Sequence, residues 1–510
     1  MTSRLFRNVS TVTMLGTTLV GNMFFGQPKS SVADVTQVNI AATDPHYNPI
    51  AASVPQAKSL DSGMRWLKKD PNNTDPYIIT YSFPDEEGNE RAYTTDGDSV
   101  TVHYKPLTSL QRAEFIRVTH EFEKVANITF VEFHKGIQTN VKLPDNTMPM
   151  IRIRAANIEE TISAVGSSSF PYRENNGIVI ELDPSWIDGN PASFSCESQL
   201  HELGHAMGLK HPFQKGDTPQ TDMMLPAVLD TVNETVMSYS SSDPDSVGGK
   251  ITLDVPGSRC DPSTLGPLDI AELQNFYGAN WNYSVVPENG PIKLTGEQKV
   301  WTVWNGRYPG IFDATAYKGK EDVKLNLNPG GANPSKIGQE YVFIAYGTII
   351  HRAIGAPNAS NRFIGNVNGG SICEGGKGNN IYELSGKDNL IIAGKGHNVY
   401  SLRINSESII RGFSGKDSIV IDETGNIQAI AHRDGKNVIV AICCNDEVMQ
   451  QVTLEGYVGP IPTIAIKKLS PSSQEALVPL ENMAISDSAA KIVANHTRVI
   501  MSVSKNTLQR

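Results

Sequence analysis

The segment HELGHAMGLKH (His201–His211) constrains the fold more tightly than any other part of this 510-residue chain, because it gathers three of its eleven histidines. His201 and His205 are four residues apart, the spacing at which an α-helix projects two side chains from one face. Leu200, Leu203 and Met207 share the apolar side of that helix. Ser195 is positioned to cap it, and Glu197 lies in the first turn, where the helix dipole favours an acid. Gly208 then offers a stop, since glycine tolerates the left-handed conformation at a helix C-terminus. A chain that leaves the helix there can turn back and bring His211 beside the other two. Two imidazoles from one helical face and a third from a returning loop form the donor set of a catalytic zinc site. Three neutral ligands leave the zinc charge uncancelled and one position open to water, whose pKa then falls towards neutrality. Glu202, beside the ligands, is placed to take that water's proton and pass it to a leaving amine. An HExxH alone also arises on ordinary solvated helix faces, but Gly208 and His211 at fixed positions set this segment apart. A distant element agrees: ETVMSYS (Glu234–Ser240) carries Met237, 26 residues beyond His211, where a methionine-bearing turn would pass beneath the metal.

The rest of the chain sets bounds on that reading. Its length allows two to four domains, and 43 glycines with 30 prolines point to many turns and more strand than helix. A net charge of -10 without any basic run excludes a general nucleic-acid binder. None of the five cysteines sits in a CxxC pair, which argues against a cysteine-based zinc site. Cys196 and Cys260 flank the motif region and read either as a disulfide of an exported protein or as two buried thiols, while Cys443 and Cys444 pack in or beside a strand. Residues 1–33 read as an export signal: Arg4 and Arg7 precede an apolar run from Val9 to Phe25, and Ser31-Val32-Ala33 suits a cleavage site. No later stretch approaches the ~20 apolar residues that span a bilayer, so a soluble, extracellular protein is expected.

Residues 34–58 are polar and contain proline, like a linker or short pro-segment. YIITYSFPD (Tyr77–Asp85) alternates as a strand; a helix capped by Thr108 follows, with Leu110, Phe115, Val118, Phe122 and Val125 as its apolar stripe. ITFVEF, MIRIRAA and GIVIEL are further strands before the histidine helix, an order that predicts an α+β domain over 59–280. Beyond 280 helical patterns vanish. GGKGNNIYE (Gly375–Glu383) and AGKGHNVYS (Ala393–Ser401) match at five of nine places and lie eighteen residues apart. SGKDNLI (Ser385–Ile391) supplies a copy between them, one residue out of register, and SGKDSIV (Ser414–Val420) echoes it. A nine-residue Gly-x-Gly-x-(Asp/Asn)-x-apolar period predicts an all-β, parallel β-roll or sandwich-like region over 281–467 that binds calcium between turns. Residues 468–510 read as a polar tail.

HExxHxxGxxH with a downstream Met-turn resembles the metzincin metallopeptidases. Pro212 after the third histidine and the VMSY form of the turn resemble the serralysins among them. TYSFPD, VANITFVE, LGPLDIAELQNFYGAN (Leu265–Asn280) and DATAYKGKEDVKLNLNPGG are similar to serralysin segments in the same order. The resemblance runs over roughly residues 59–466 and is strongest around His201. It implies an α+β metzincin catalytic domain, a twisted sheet plus active-site helix, followed by a divergent β-roll of the RTX type. It implies zinc on His201, His205 and His211, Glu202 as general base and acid, and Met237 in the Met-turn. Tyr239, two residues later, would stabilise the tetrahedral intermediate. SAVGSSSFP (Ser163–Pro171) matches the family's substrate-binding edge strand, to which a peptide would add as an antiparallel strand. Protein or peptide substrates and a monomer follow.

The departures are equally specific. Well-formed repeats carry an aspartate at the sixth place, because a carboxylate must bridge the calcium ion. Asn380 and Asn398 stand there in two repeats, leaving Asp388 and Asp417 as calcium ligands for one or two sites, fewer than the family norm. Apolar stacking of Cys373, Tyr382, Ile391 and Tyr400, nine residues apart, is the competing picture. The family exports itself through a C-terminal signal, so the leader here leaves two routes open. No cysteine-bearing pro-peptide motif of the matrixin type is seen, so a cysteine switch is not expected. The rival class is a non-catalytic secreted adhesin or binding protein on the same scaffold, against which the intact Glu202 argues.

Overall fold

Alternating apolar residues build the first sheet. The structure is a computed structural model that describes residues 40–68, 70–93, 99–134, 149–156, 165–171, 177–185, 194–216, 221–240, 262–286, 290–402, 406–422, 427–444, 447–462 and 464–467. The leader and the tail lie outside the described residues. Strand β1 (Tyr77–Ser82) is followed by the hairpin of β2 (Gly88–Tyr93) and β3 (Ser99–Lys105), helix α1 (Ser109–Val125) and β4 (Ile128–Glu132). Next come β5 (Ile151–Ala156), β6 (Gly166–Ser168), β7 (Ile178–Leu182), helix α2 (Phe194–Ala206) and helix α3 (Pro267–Tyr277). β5 is the hub. It runs parallel to β7, while β1 pairs with its first residues and β3 with its last. β4 extends the sheet beyond β1, and β6 runs antiparallel to β7.

α1 starts where a capping box predicts. The Thr108 side chain accepts from the Gln111 amide, and the Gln111 side chain accepts from the Thr108 amide. Phe115, Val118, Phe122 and Val125 bury against the sheet, whereas Leu110, expected in the same stripe, is exposed one turn ahead of the packed face. α2 begins by Phe194, ahead of Ser195, so Ser195 is not its cap; its side chain lies outside the described residues.

Of the linker or short pro-segment expected over 34–58, residues 34–39 lie outside the described residues and the remainder forms a packed arm. Pro49–Ala52 forms a helical turn and Pro55–Leu60 a 3-10 helix. Ala51, Val54, Ala57 and Leu60 recur every three residues, the period of a 3-10 helix, and all four are buried in the core that α3 and α2 share. The polar composition hid that period.

From residue 350 to 422 successive strands alternate between two sheets. Asn361–Ile364, Asn380–Leu384, Asn398–Leu402 and Ser418–Asp422 are successive parallel neighbours in one sheet. Ile350–Ile354, Ile372–Glu374, Asn389–Ile392 and Glu407–Arg411 are their counterparts in the other. Each pair of strands makes one coil, an arrangement compatible with a β-roll. Cys373 stands in register with Ile391, and Tyr382 with Tyr400, all fully buried between the sheets. The rings of Phe363, Tyr382 and Tyr400 stack at 5.0 and 5.2 Å with interplanar angles of 5° and 10°. The apolar stack anticipated as the competing picture is thus physically present. The two regions share apolar packing, with Trp304 and Ala345 in the first region's core, and polar contacts: the Gly331 amide donates to Glu234 Oε2, and Asn48 Nδ2 to the Tyr346 carbonyl. Among the described residues no helix is long and apolar enough to cross a membrane.

Candidate metal centre

α2 carries His201 and His205 on one face, and each is held from behind. His201 Nδ1 lies 2.7 Å from the Val236 carbonyl, and His205 Nδ1 lies 2.7 Å from the Leu209 carbonyl. A carbonyl only accepts, so each Nδ1 carries the proton and each Nε2 presents its lone pair inward. The chain leaves the helix at Gly208 with φ +101°, and a Cβ there would lie 2.3 Å from the Met64 carbonyl oxygen. Glycine is therefore required twice over, by conformation and by space. His211 returns with its Nε2 3.1 Å from the Nε2 of both His201 and His205. Three nitrogens tetrahedrally bound to one zinc at 2.0–2.1 Å would stand roughly 3.3 Å apart, so the trio fits that ion. Among the described residues it is the one cluster of three or more histidine, cysteine or carboxylate groups that could hold a metal. Burial lowers His201 to about 4 and His211 to about 3, and holds His205 well below its usual value, so all three imidazoles are neutral at physiological pH.

Lys210 fastens the returning loop. Its buried ammonium donates to the carbonyls of Ser59 (2.6 Å), Gln214 (2.6 Å) and Met223 (3.0 Å), and its amide donates to Leu60 (2.7 Å). Three donors thus meet three acceptors from separate segments, which satisfies a buried charge without a carboxylate in contact.

Glu202 sits beside the trio with its Oε2 buried and, among the described residues, without a hydrogen-bond partner, and burial pushes its carboxyl up to about 8. Its other oxygen faces Gly166 of β6, where a Cβ would come within 2.6 Å of Oε1. Gly166 therefore lets the edge strand lie directly against Glu202. The segment Ser163–Pro171 was expected at this edge; its first two residues lie outside the described residues. The Tyr239 hydroxyl lies 2.9 Å from His211 Nε2, and its ring stacks on His201 at 5.6 Å. Burial, with the Glu202 charge second, keeps that hydroxyl protonated well above the usual phenol range.

Met237 is fully buried, with its Sδ so near Gly204 that a Cβ there would come within 2.6 Å. Asp269, in the first turn of α3, holds this turn: its carboxylate accepts from the Thr235 hydroxyl (2.5 Å) and from the amides of Val236 and Gly266 (both 2.8 Å). Val236 in turn holds His201, so Asp269 reaches the centre through the backbone. Sequence reasoning passed over Asp269 and Gly166. An acid three residues into a helix opened by Gly-Pro was the available signal for Asp269. Gly166 had none.

The two aspartates expected to bind calcium are not equivalent. Asp417 Oδ1 accepts from the Asn398 amide (3.0 Å) and Nδ2 (3.1 Å), and Oδ2 from the Ser414 amide (2.8 Å) and Tyr400 hydroxyl (3.3 Å). Asp388 lies in a turn with φ +61°, one residue before Asn389, which holds the equivalent place. A calcium ion takes six to eight oxygens, and these residues do not supply such a set. Cys196 is a free, buried thiol beside the Arg117 guanidinium; Cys260, the other half of the disulfide reading, and the side chains of Cys443 and Cys444 lie outside the described residues.

No family model matches the chain. It is 25% identical over 302 residues to serralysin B of Dickeya chrysanthemi, covering 54% of this chain and 56% of that protein. It is 27% identical over 282 residues to metallopeptidase AprA of Pseudomonas marginalis, covering 52% and 55%. A serralysin of Photorhabdus laumondii is 26% identical over 332 residues, covering 61% and 63%. The chain spans about half the length of the curated relatives it matches. These likenesses support a serralysin-like relationship.

Proposed function

We propose that this protein is a secreted zinc-dependent endopeptidase. The observation that carries the reading is the convergence of three inward-facing imidazole Nε2 atoms beside the unpartnered Glu202 Oε2. A zinc ion bound there would supply Lewis-acid chemistry, lowering the pKa of water and polarising a carbonyl. In this reading His201, His205 and His211 are the metal ligands. Glu202, whose carboxyl a dication held by the trio would draw back below its metal-free value, accepts the proton of the attacking water and hands it to the leaving amine. The Tyr239 hydroxyl, kept protonated, donates a hydrogen bond to the oxyanion that develops on the scissile carbonyl. A substrate peptide lies along β6, which among the described residues pairs only with β7, and adds there as a further strand. Gly166 keeps that strand close enough for the scissile bond to meet Glu202. Residues 59–280, with the arm packed into them, form the peptidase unit, and 281–467 the accompanying β unit. The similarity to proteins named serralysin and metallopeptidase supports protein or peptide substrates.

Casein digestion tests the reading. Wild type cleaves, loses activity to a chelator and regains it with zinc. Glu202→Ala keeps zinc yet loses roughly 10²–10⁴-fold in rate. If wild type and variant are equally inert with zinc bound, the enzyme reading fails and a non-catalytic binding protein on this scaffold replaces it.

A further inference from the structure

The second region contains a buried file of side-chain amides where a repeat-built β-roll would place its ions. Asn361, Asn380 and Asn398 share one register position on successive parallel strands. Asn361 Nδ2 donates to Asn380 Oδ1 (3.0 Å), Asn380 Nδ2 to Asn398 Oδ1 (2.8 Å), and Asn398 Nδ2 to Asp417 Oδ1 (3.1 Å). Each amide also closes its own turn. Asn361 accepts from the Ala356 amide and donates to the Ala359 carbonyl. Asn380 accepts from the Gly376 amide and donates to the Gly378 carbonyl, and Asn398 donates to the Gly394 carbonyl. On the opposite sheet Asn389 accepts from the Ser371 amide and donates to the carbonyls of Ser385 and Gly386. These four asparagines are buried.

Two features keep calcium out of this space. Hydrogens of the amide NH2 groups point where a cation needs lone pairs, and the turn carbonyls it would recruit already accept from those groups. The turns also lie backbone on backbone: a Cβ on Gly394 would come within 2.0 Å of the Gly376 oxygen, and one on Gly396 within 2.3 Å of the Gly378 oxygen. Asp417 ends the file as the acceptor that the last amide requires. We infer that the coils from Asn361 to Asp417 are closed by this amide ladder in place of calcium, so that the region folds and holds without the ion. The inference is independent of the metal centre.

Hydrogen–deuterium exchange of the full chain tests it, read on peptides covering residues 355–422, with and without calcium and with zinc held constant. Protection equal in both conditions is the expected result. Protection that falls when calcium is withdrawn overturns the inference, and this comparison needs no variant. Asn380→Ala, which interrupts the file at its centre, is expected to speed exchange in the flanking turns by roughly tenfold or more in both conditions. Unchanged exchange in that variant would show that the ladder holds nothing.

Discussion

Two buried polar arrays organise this molecule, and they differ in what they leave open. Around His201, three Nε2 atoms converge on a shared space and, among the described residues, Glu202 Oε2 has no partner. Around Asn380, amides donate and accept along a continuous file. A buried polar atom without a partner costs about 1–3 kcal/mol, a cost that a donor bound beside Glu202 would relieve. The same contrast separates the glycines. Gly208 and Gly166 make room for specific neighbours at the centre, whereas Gly394 and Gly396 let coil lie on coil.

The contrast can be broken or sharpened experimentally. Tyr382 sits in the middle of the ring stack, and Tyr382→Ala should cost the second region about 3–5 kcal/mol. Denaturant unfolding followed alongside zinc affinity checks this: stability should drop while affinity holds, and a joint loss would mean that the arrays are not separable. Gly208→Ala acts on the other side. The strained φ and the contact with the Met64 carbonyl should cost about 2 kcal/mol or more and weaken zinc binding at least roughly tenfold, read by chelator competition. Tyr239→Phe removes one hydroxyl from an otherwise intact centre. It should lower kcat roughly 10–100-fold with KM and zinc affinity unchanged, and a change in affinity instead would reassign Tyr239 to metal retention.

The smallest effect lies at the seam. Burial pushes the Glu234 carboxyl up to about 7, while its unfolded value is near 4.5. Between these values the unfolded chain releases its proton first, so stability falls as pH rises. Glu234→Gln should therefore be more stable than wild type by about 1 kcal/mol at about pH 8 and no more stable at about pH 4. Thermal melts across pH check the sign. The seam lies between the two arrays: Glu234 faces Gly331 and lies three residues before Met237.

What the sequence made legible was local. The trio, the Thr108 cap of α1 and the alternating strands each follow from spacing within a dozen residues. What it hid depended on distant partners or on register. Asp269 matters because Thr235 and Val236 come to it from another segment, and Gly166 because Glu202 does. SGKD occurs twice, yet the second copy puts Asp417 in the ladder while the first puts Asp388 one residue ahead of it, since Asn389 takes the place. Only the pairing of strands distinguishes them.

The packed arm bears on how the protein could be matured. Its residues reach the centre from behind: Ser59 and Leu60 hold Lys210, Met64 seats against Gly208, and Trp66 Nε1 donates to the Ala206 carbonyl. Farther upstream, His46 pairs with Ala279 in both directions, and Asn48 binds Gln274. A trimming protease that stops before His46 leaves this scaffolding whole. One that cuts beyond Leu60 severs the brace of the third histidine and discards the ligand loop's anchor with the trimmed peptide.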